Sequence, residues 1–287
     1  MLQKLGIEQG EGRVFAWGAA ALFLIGWAEV SVKNVAETLF IKRVGVEYMP
    51  LAFLGSAILL VGTTYIAVEL ASRSDRLRLL PRVLVGLGLA LLPIWLLVVA
   101  NFQASFWLLI IASKQMQSVA LLVFWVALSD LLHGRQSKRL LAPLMAGLTL
   151  GNILGSFASE PISRLAGISG LLPVSACALA LGASVALPLR GLRSSRLERG
   201  SERGQRGVDD DDGRGEHAST AGFGALWRDS RLFRLVFISA ACSGLVGPML
   251  YIQFSYVADI ATQGAAEEER LMAFYAQFRG WIYVLVL

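Results

Sequence analysis

The chain has 287 residues, 55% of them hydrophobic and only 16% charged, with a mean hydropathy of +0.61. A soluble domain is about half apolar but about a quarter charged, so the missing charge excludes one soluble core as the place for all the apolar runs. A net charge of +5 invites a nucleic-acid partner, but its distribution along the chain assigns it to membrane loops.

The start, Met1 to Arg13, is polar and of mixed charge, and the apolar run behind it is too long for a secretory signal core. A spanning helix needs about 20 mostly apolar residues. That ruler predicts all-α spans over Val14–Val32, Pro50–Leu70, Val83–Ala100, Phe106–Leu128, Leu140–Phe157 and Leu171–Leu189. Two more are expected over Leu232–Val257 and Leu271–Leu287, the last ending within an apolar run. Cys177 and Cys242 both fall inside such runs, which argues against a disulfide framework or a zinc site.

Between the sixth and seventh spans lies a stretch of another kind. Residues 191–231 hold five spaced arginines (Arg193, Arg196, Arg199, Arg203, Arg206), then Asp209 to Asp212, with glycines between. Too little apolar surface is present to offset ordering entropy, so a charged linker is expected. A polybasic lipid-binding or regulatory segment is the alternative. With the N-terminus placed inside, nineteen of the 26 lysines and arginines fall in inside segments and five outside, Lys114 and Arg279 lying within spans. This bias predicts a cytoplasmic N-terminus and a cytoplasmic linker.

Six spans (1–190), a basic linker and further spans (232–287) is the plan of a two-halved, major-facilitator-like helical bundle. Such carriers bind substrate between the halves near the midplane. About eight of an implied twelve transmembrane helices are then present. The function expected is secondary transport in the cell (inner) membrane, with the lipid bilayer and a small anionic substrate as partners and no nucleic acid.

The fifth span carries Gly147, Gly151 and Gly155, four apart and so on one helix stripe. In lipid such a stripe lets a neighbouring helix approach closely, and a packing seam is expected. Gly244, Gly247 and Pro248 interrupt the seventh span; packing is the preferred reading, and a broken helix at a transport site is the alternative.

Charges inside spans say more about function, because each costs about 2.5–3.5 kcal/mol at a helix centre. Glu69, Asp130 and Glu160 lie near span ends, within reach of water. Lys114 lies about 12 Å below the edge of its span, with Gln115, Gln117 and Ser118 around it. It is expected to face a cavity and to meet an acidic group or an anionic substrate. Glu29 has two candidate partners: Lys114 across the bundle, or Lys33 at i,i+4 on its own helix. Arg279 in the eighth span joins them as a cavity candidate. Enzyme signatures are weak: the chain has two histidines, His133 and His217, no metal-ligand cluster and no phosphate-binding glycine loop. No enzyme activity and no cofactor are expected.

Two stretches resemble the ATP/ADP translocase (nucleotide exchange) family and its bacterial relatives. One is Phe124-Trp125, then Asp130-Leu, then Arg135-Gln136-Ser137-Lys138-Arg139, running into the glycine-rich span. The other is Glu37-Thr-Leu39-Phe40, Arg43, Gly45, Glu47 and Pro50. Tyr251-Ile-Gln253-Phe254 and Phe274-Tyr275 are fainter matches. The resemblance implies a twelve-helix antiporter of major-facilitator architecture exchanging nucleotides or another anionic metabolite, with a further regulatory domain after the bundle in some relatives. Where those carriers have Lys-Asp before the leucine motif, this sequence has Ala36-Glu37, and Lys33 one turn earlier is the candidate substitute. The reading from another class is a membrane sensor or scaffold that kept the bundle without transport.

Overall fold

The computed structural model describes residues 12–131, 134–189 and 231–287; the linker expected over 191–231 lies outside them except for Arg231. Among these residues every regular element is helical. The long helices are α1 (Gly12–Arg43), α2 (Met49–Arg73), α3 (Arg76–Val99), α4 (Gln103–Ser129) and α5 (Gly134–Ala166). They are followed by α6 (Leu171–Ala186), α7 (Arg231–Ala261) and α8 (Glu267–Val286), with single 3₁₀ turns at Val46–Tyr48 and Ile168–Gly170. Six helices, α1 to α6 with those two turns, are long and apolar enough to cross a bilayer. The chain is a multi-pass membrane protein. Leu51, Leu54, Ile58, Val61 and Tyr65 on α2 stay exposed, and their spacing of three and four makes one apolar face suited to lipid rather than water.

The helices outrun the apolar windows that locate them. The first span was expected to stop at Val32, yet α1 continues to Arg43. Hydropathy registers Lys33, Asn34 and Glu37 as a span end, whereas backbone hydrogen bonding continues wherever the side chains find partners. Termination comes at Gly45, whose φ of 118° is open to glycine and strained for other residues. There the N–H groups of Val44 and Gly45 both donate to the Phe40 carbonyl, at 2.9 and 3.1 Å. Pro50 opens α2 within its first turn, where its missing N–H costs nothing. Asp75 caps α3 by accepting from the Leu77 N–H at 3.2 Å. Similarly α5 reaches from Gly134 to Ala166, beyond the expected Leu140–Phe157, and stops before Gly167 at φ 75°.

Helix α1 is the axis of the bundle and packs on α4, α5, α6 and α8. Its contact with α5 runs through the glycine stripe. A Cβ at Gly147 would sit 2.8 Å from the Ala19 carbonyl oxygen, and one at Gly155 would sit 2.9 Å from Trp27 Cα. At Gly151 it would overlap the Phe23 backbone. Residue numbers rise together along this seam, so α1 and α5 are parallel, as two spans separated by three crossings must be. Against α4 the order reverses: Phe40 stacks edge-on with Trp107 at 5.0 Å, while Gly18 faces Phe124.

Gly151→Val should therefore destabilise the purified protein by about 1–3 kcal/mol through overpacking. Gly86→Ala, where nothing lies within 4 Å of the new Cβ, should leave the melting temperature unchanged or raised. Equal melting temperatures for Gly151→Val and wild type would show the seam to be slack.

Candidate functional site

A cluster of buried charges links the helices inside the bundle. Glu37, on the part of α1 beyond the expected span, has no exposed surface. Its Oε1 accepts from Lys114 Nζ of α4 at 3.0 Å. Its Oε2 accepts from the Arg279 guanidinium of α8 and from the Tyr251 hydroxyl of α7. Arg279 also donates to Asn34 Oδ1 and, at 2.8 Å, to the Tyr251 oxygen, and its guanidinium carbon lies 4.6 Å from the Tyr275 ring centroid. Asn34 in turn donates to Ser159 of α5 at 3.3 Å. One carboxylate thus ties α1 to α4, α7 and α8, with α5 joined through Asn34.

Lys114 meets a carboxylate, but that of Glu37 and not the expected Glu29. Extending α1 by three turns brings Glu37 to the level Lys114 reaches, and Glu37 takes the ion pair. Glu29 is also buried, beside Lys33, Lys114 and Gln117, and its Oε2 has no hydrogen-bond partner among the described residues. The other polar neighbours of Lys114 have separate tasks. Gln115 donates to the Ser56 carbonyl of α2 at 2.7 Å and accepts from Thr63 at 2.6 Å. Ser118 bonds the Lys114 carbonyl at 3.3 Å on its own helix.

A cavity of about 310 Å³ opens beside this cluster, lined by Lys33, Phe53, Lys114, Gly247, Pro248 and Tyr251. Lys114 Nζ stands 5.1 Å from the Phe53 ring centroid and 5.8 Å from that of Tyr251, a favourable place for a cation. Gly247 and Pro248, read from sequence as packing residues, border the cavity. Glu37 was missed because hydropathy put it in a loop; the signal that locates it is the four-residue spacing of Glu29, Lys33 and Glu37, which aligns all three on one helix face.

At the end of α1 a second set of ion pairs reaches the α7–α8 connection. Lys42 lies 2.7 Å from Asp259 and 3.4 Å from Glu267, and Arg43 pairs with Glu268. Of the charges near span ends, Glu69 pairs with Arg73 at 2.6 Å and Glu160 with Arg164 at 2.5 Å within their own helices, while Asp130 after α4 pairs with Arg76 at the start of α3 at 2.9 Å. Of the loop motif, Asp130 and Arg139 are both engaged, while the side chains of Arg135, Gln136 and Lys138 lie outside the described residues.

No protein-family profile, curated protein or solved structure matches this chain.

Removing one partner of a buried ion pair leaves an uncompensated charge and costs about 3–5 kcal/mol. Glu37→Ala, which strands both Lys114 and Arg279, should lower stability by at least that much in detergent, read as a fall in the unfolding midpoint. Glu37→Gln, which keeps a carbonyl acceptor, should fall between. A Glu37→Ala protein as stable as wild type would remove the cluster from any structural role.

Proposed function

We propose that the protein is a secondary carrier of major-facilitator type that moves a small anionic metabolite across the cell membrane. Residues 1–190 form one six-helix half, the 191–231 linker is cytoplasmic, and α7 and α8 begin the second half of a twelve-helix bundle. The observation that carries this reading is the Glu37 cluster, with Lys33 and Lys114 facing a cavity between α1, α2, α4 and α7. Charges at such depth are retained where they line a pathway. Major-facilitator carriers bind substrate between their halves, and this cavity lies between helices of the first half and α7.

The ion pairs from Lys42 and Arg43 to Asp259, Glu267 and Glu268 support alternating access. They clasp the end of α1 to the last turn of α7 and the first turn of α8, and the lysine and arginine bias makes that end the outside. Opening would exchange the Arg43–Glu268 pair for water at modest cost, since partly exposed pairs are worth about 0–1 kcal/mol; Lys42 is buried, and its carboxylate partners, which are nearer water, would have to hydrate with it. Nucleotide exchange is the activity that the translocase resemblance implies, and Lys33 is the cation available for it.

A specific observation favours a second reading. Lys114 and Arg279 both share Glu37, so the cluster also suits a static lock in a membrane sensor or scaffold.

Transport assays separate the two. Lys114→Ala, Lys114→Gln and Lys114→Arg in the full-length protein should each lower counterflow of the carried anion in proteoliposomes by about tenfold or more, at equal expression. Wild-type flux in all three would remove Lys114 from the site, and no flux of any anion in the parent protein would favour the lock. Orientation has its own check: cysteine introduced at Phe102 should react with an impermeant reagent from outside the cell, and cysteine at Gln205 only after permeabilisation. Labelling at 205 in intact cells would invert the topology.

A further inference from the structure

We infer that the cavity beside Lys114 takes a small organic monoanion, a carboxylate bearing a flat apolar group, and not a nucleoside polyphosphate. This rests on the carrier reading and narrows its substrate.

Charge sets the first limit. Counted at formal charge, the buried cluster holds three basic groups (Lys33, Lys114 and Arg279) and two acidic ones (Glu29 and Glu37). One positive charge is left over. Lys33 and Lys114 present it to the cavity, with Lys114 sharing Glu37 with Arg279 and Lys33 lying beside Glu29. A single phosphomonoester brings about −1.5 to −2 charges, and a polyphosphate more, against one unmatched cation with Glu29 and Glu37 close by. A carboxylate brings one.

The donor chemistry sets the second. Arginine's fork suits the planar, bidentate recognition of phosphate. The arginine here, Arg279, is already committed to Glu37, Asn34 and Tyr251. The basic groups that line the cavity are Lys33 and Lys114, whose ammoniums are point charges.

Size and walls set the third. The cavity's 310 Å³ lies at the lower end of the roughly 300–1,000 Å³ common for ligand sites. Phe53 and Tyr251 stand with ring centroids 6.1 Å apart and planes tilted by 57°, and Gly247 and Pro248 complete an apolar wall. With its carboxylate between Lys33 and Lys114, a ligand would lay its apolar part on those rings, which excludes water from the ion pair.

The probe is phenylacetate, measured by calorimetry on the purified full-length protein in detergent, with ADP and the uncharged phenylacetamide beside it. Phenylacetate should bind, and phenylacetamide and ADP should bind at least tenfold more weakly. Lys33→Gln should weaken phenylacetate at least tenfold, and Lys33→Arg should restore most of the affinity, with unliganded melting temperatures confirming that both variants fold. Tighter binding of ADP than of phenylacetate, unchanged affinity in Lys33→Gln, or no phenylacetate binding would each overturn the inference. Counterflow keeps the two readings apart. Phenylacetate binding without flux of any anion overturns the carrier and leaves the ligand class standing, whereas ADP flux without phenylacetate binding does the reverse.

Discussion

A fully buried carboxylate has to be answered by positive charge, and in this bundle the answer comes from several helices at once. Glu37 on α1 receives Lys114 from α4, Arg279 from α8 and the Tyr251 hydroxyl from α7. None of these groups can leave without stranding another in a low-dielectric interior, where an isolated charge is far more costly than in water. The positions of α4, α7 and α8 around α1 are coupled for that reason. Dispersion holds the remaining contacts.

That arrangement needs α1 at the centre, and the glycine seam puts it there. With no Cβ at Gly147, Gly151 or Gly155, the α5 backbone lies directly on the backbone of Ala19, Phe23 and Trp27. Lipid offers no hydrophobic drive for two apolar helices to meet, so close packing of this kind supplies the attraction. The seam ends where the polar stripe begins: Asn34 and Ser159 bond one turn beyond Gly155. Apolar contact over one stretch of α1 and charge pairing over the next are successive parts of one helix surface.

Buried ion pairs contribute little net stability compared with apolar residues of the same shape. A bundle selected only for rigidity has no need of Lys114, Glu37 and Arg279 together. What such a cluster supplies is exchangeability, because each charge can trade one partner for another of the same sign without being left bare. On the proposed reading the incoming anion is such a partner, and Lys114, which bonds Glu37 and lines the cavity, is where the trade takes place. The Arg43–Glu268 pair at the end of α1 has the same property at lower cost, since it is nearer water.

Much was legible in the amino acids alone. Long apolar runs with little charge dictate membrane helices, because in lipid every backbone polar group must be satisfied within its own segment. The four-residue glycine repeat in α5 places a smooth stripe by helical geometry, and the depth of Lys114 marks it as a group needing a partner. Hydropathy could not see past Val32, since it scores Lys33, Asn34 and Glu37 as soluble residues whatever surrounds them. Whether a carboxylate ends a helix or lies buried within it depends on cations 77 and 242 residues away in the chain. Helical spacing aligned Glu29, Lys33 and Glu37 on one face, but which of them would hold Lys114 was decided by the length of α1 and the packing of α4 beside it. Local sequence determines what each residue requires; only the assembled helices determine which partner is within reach.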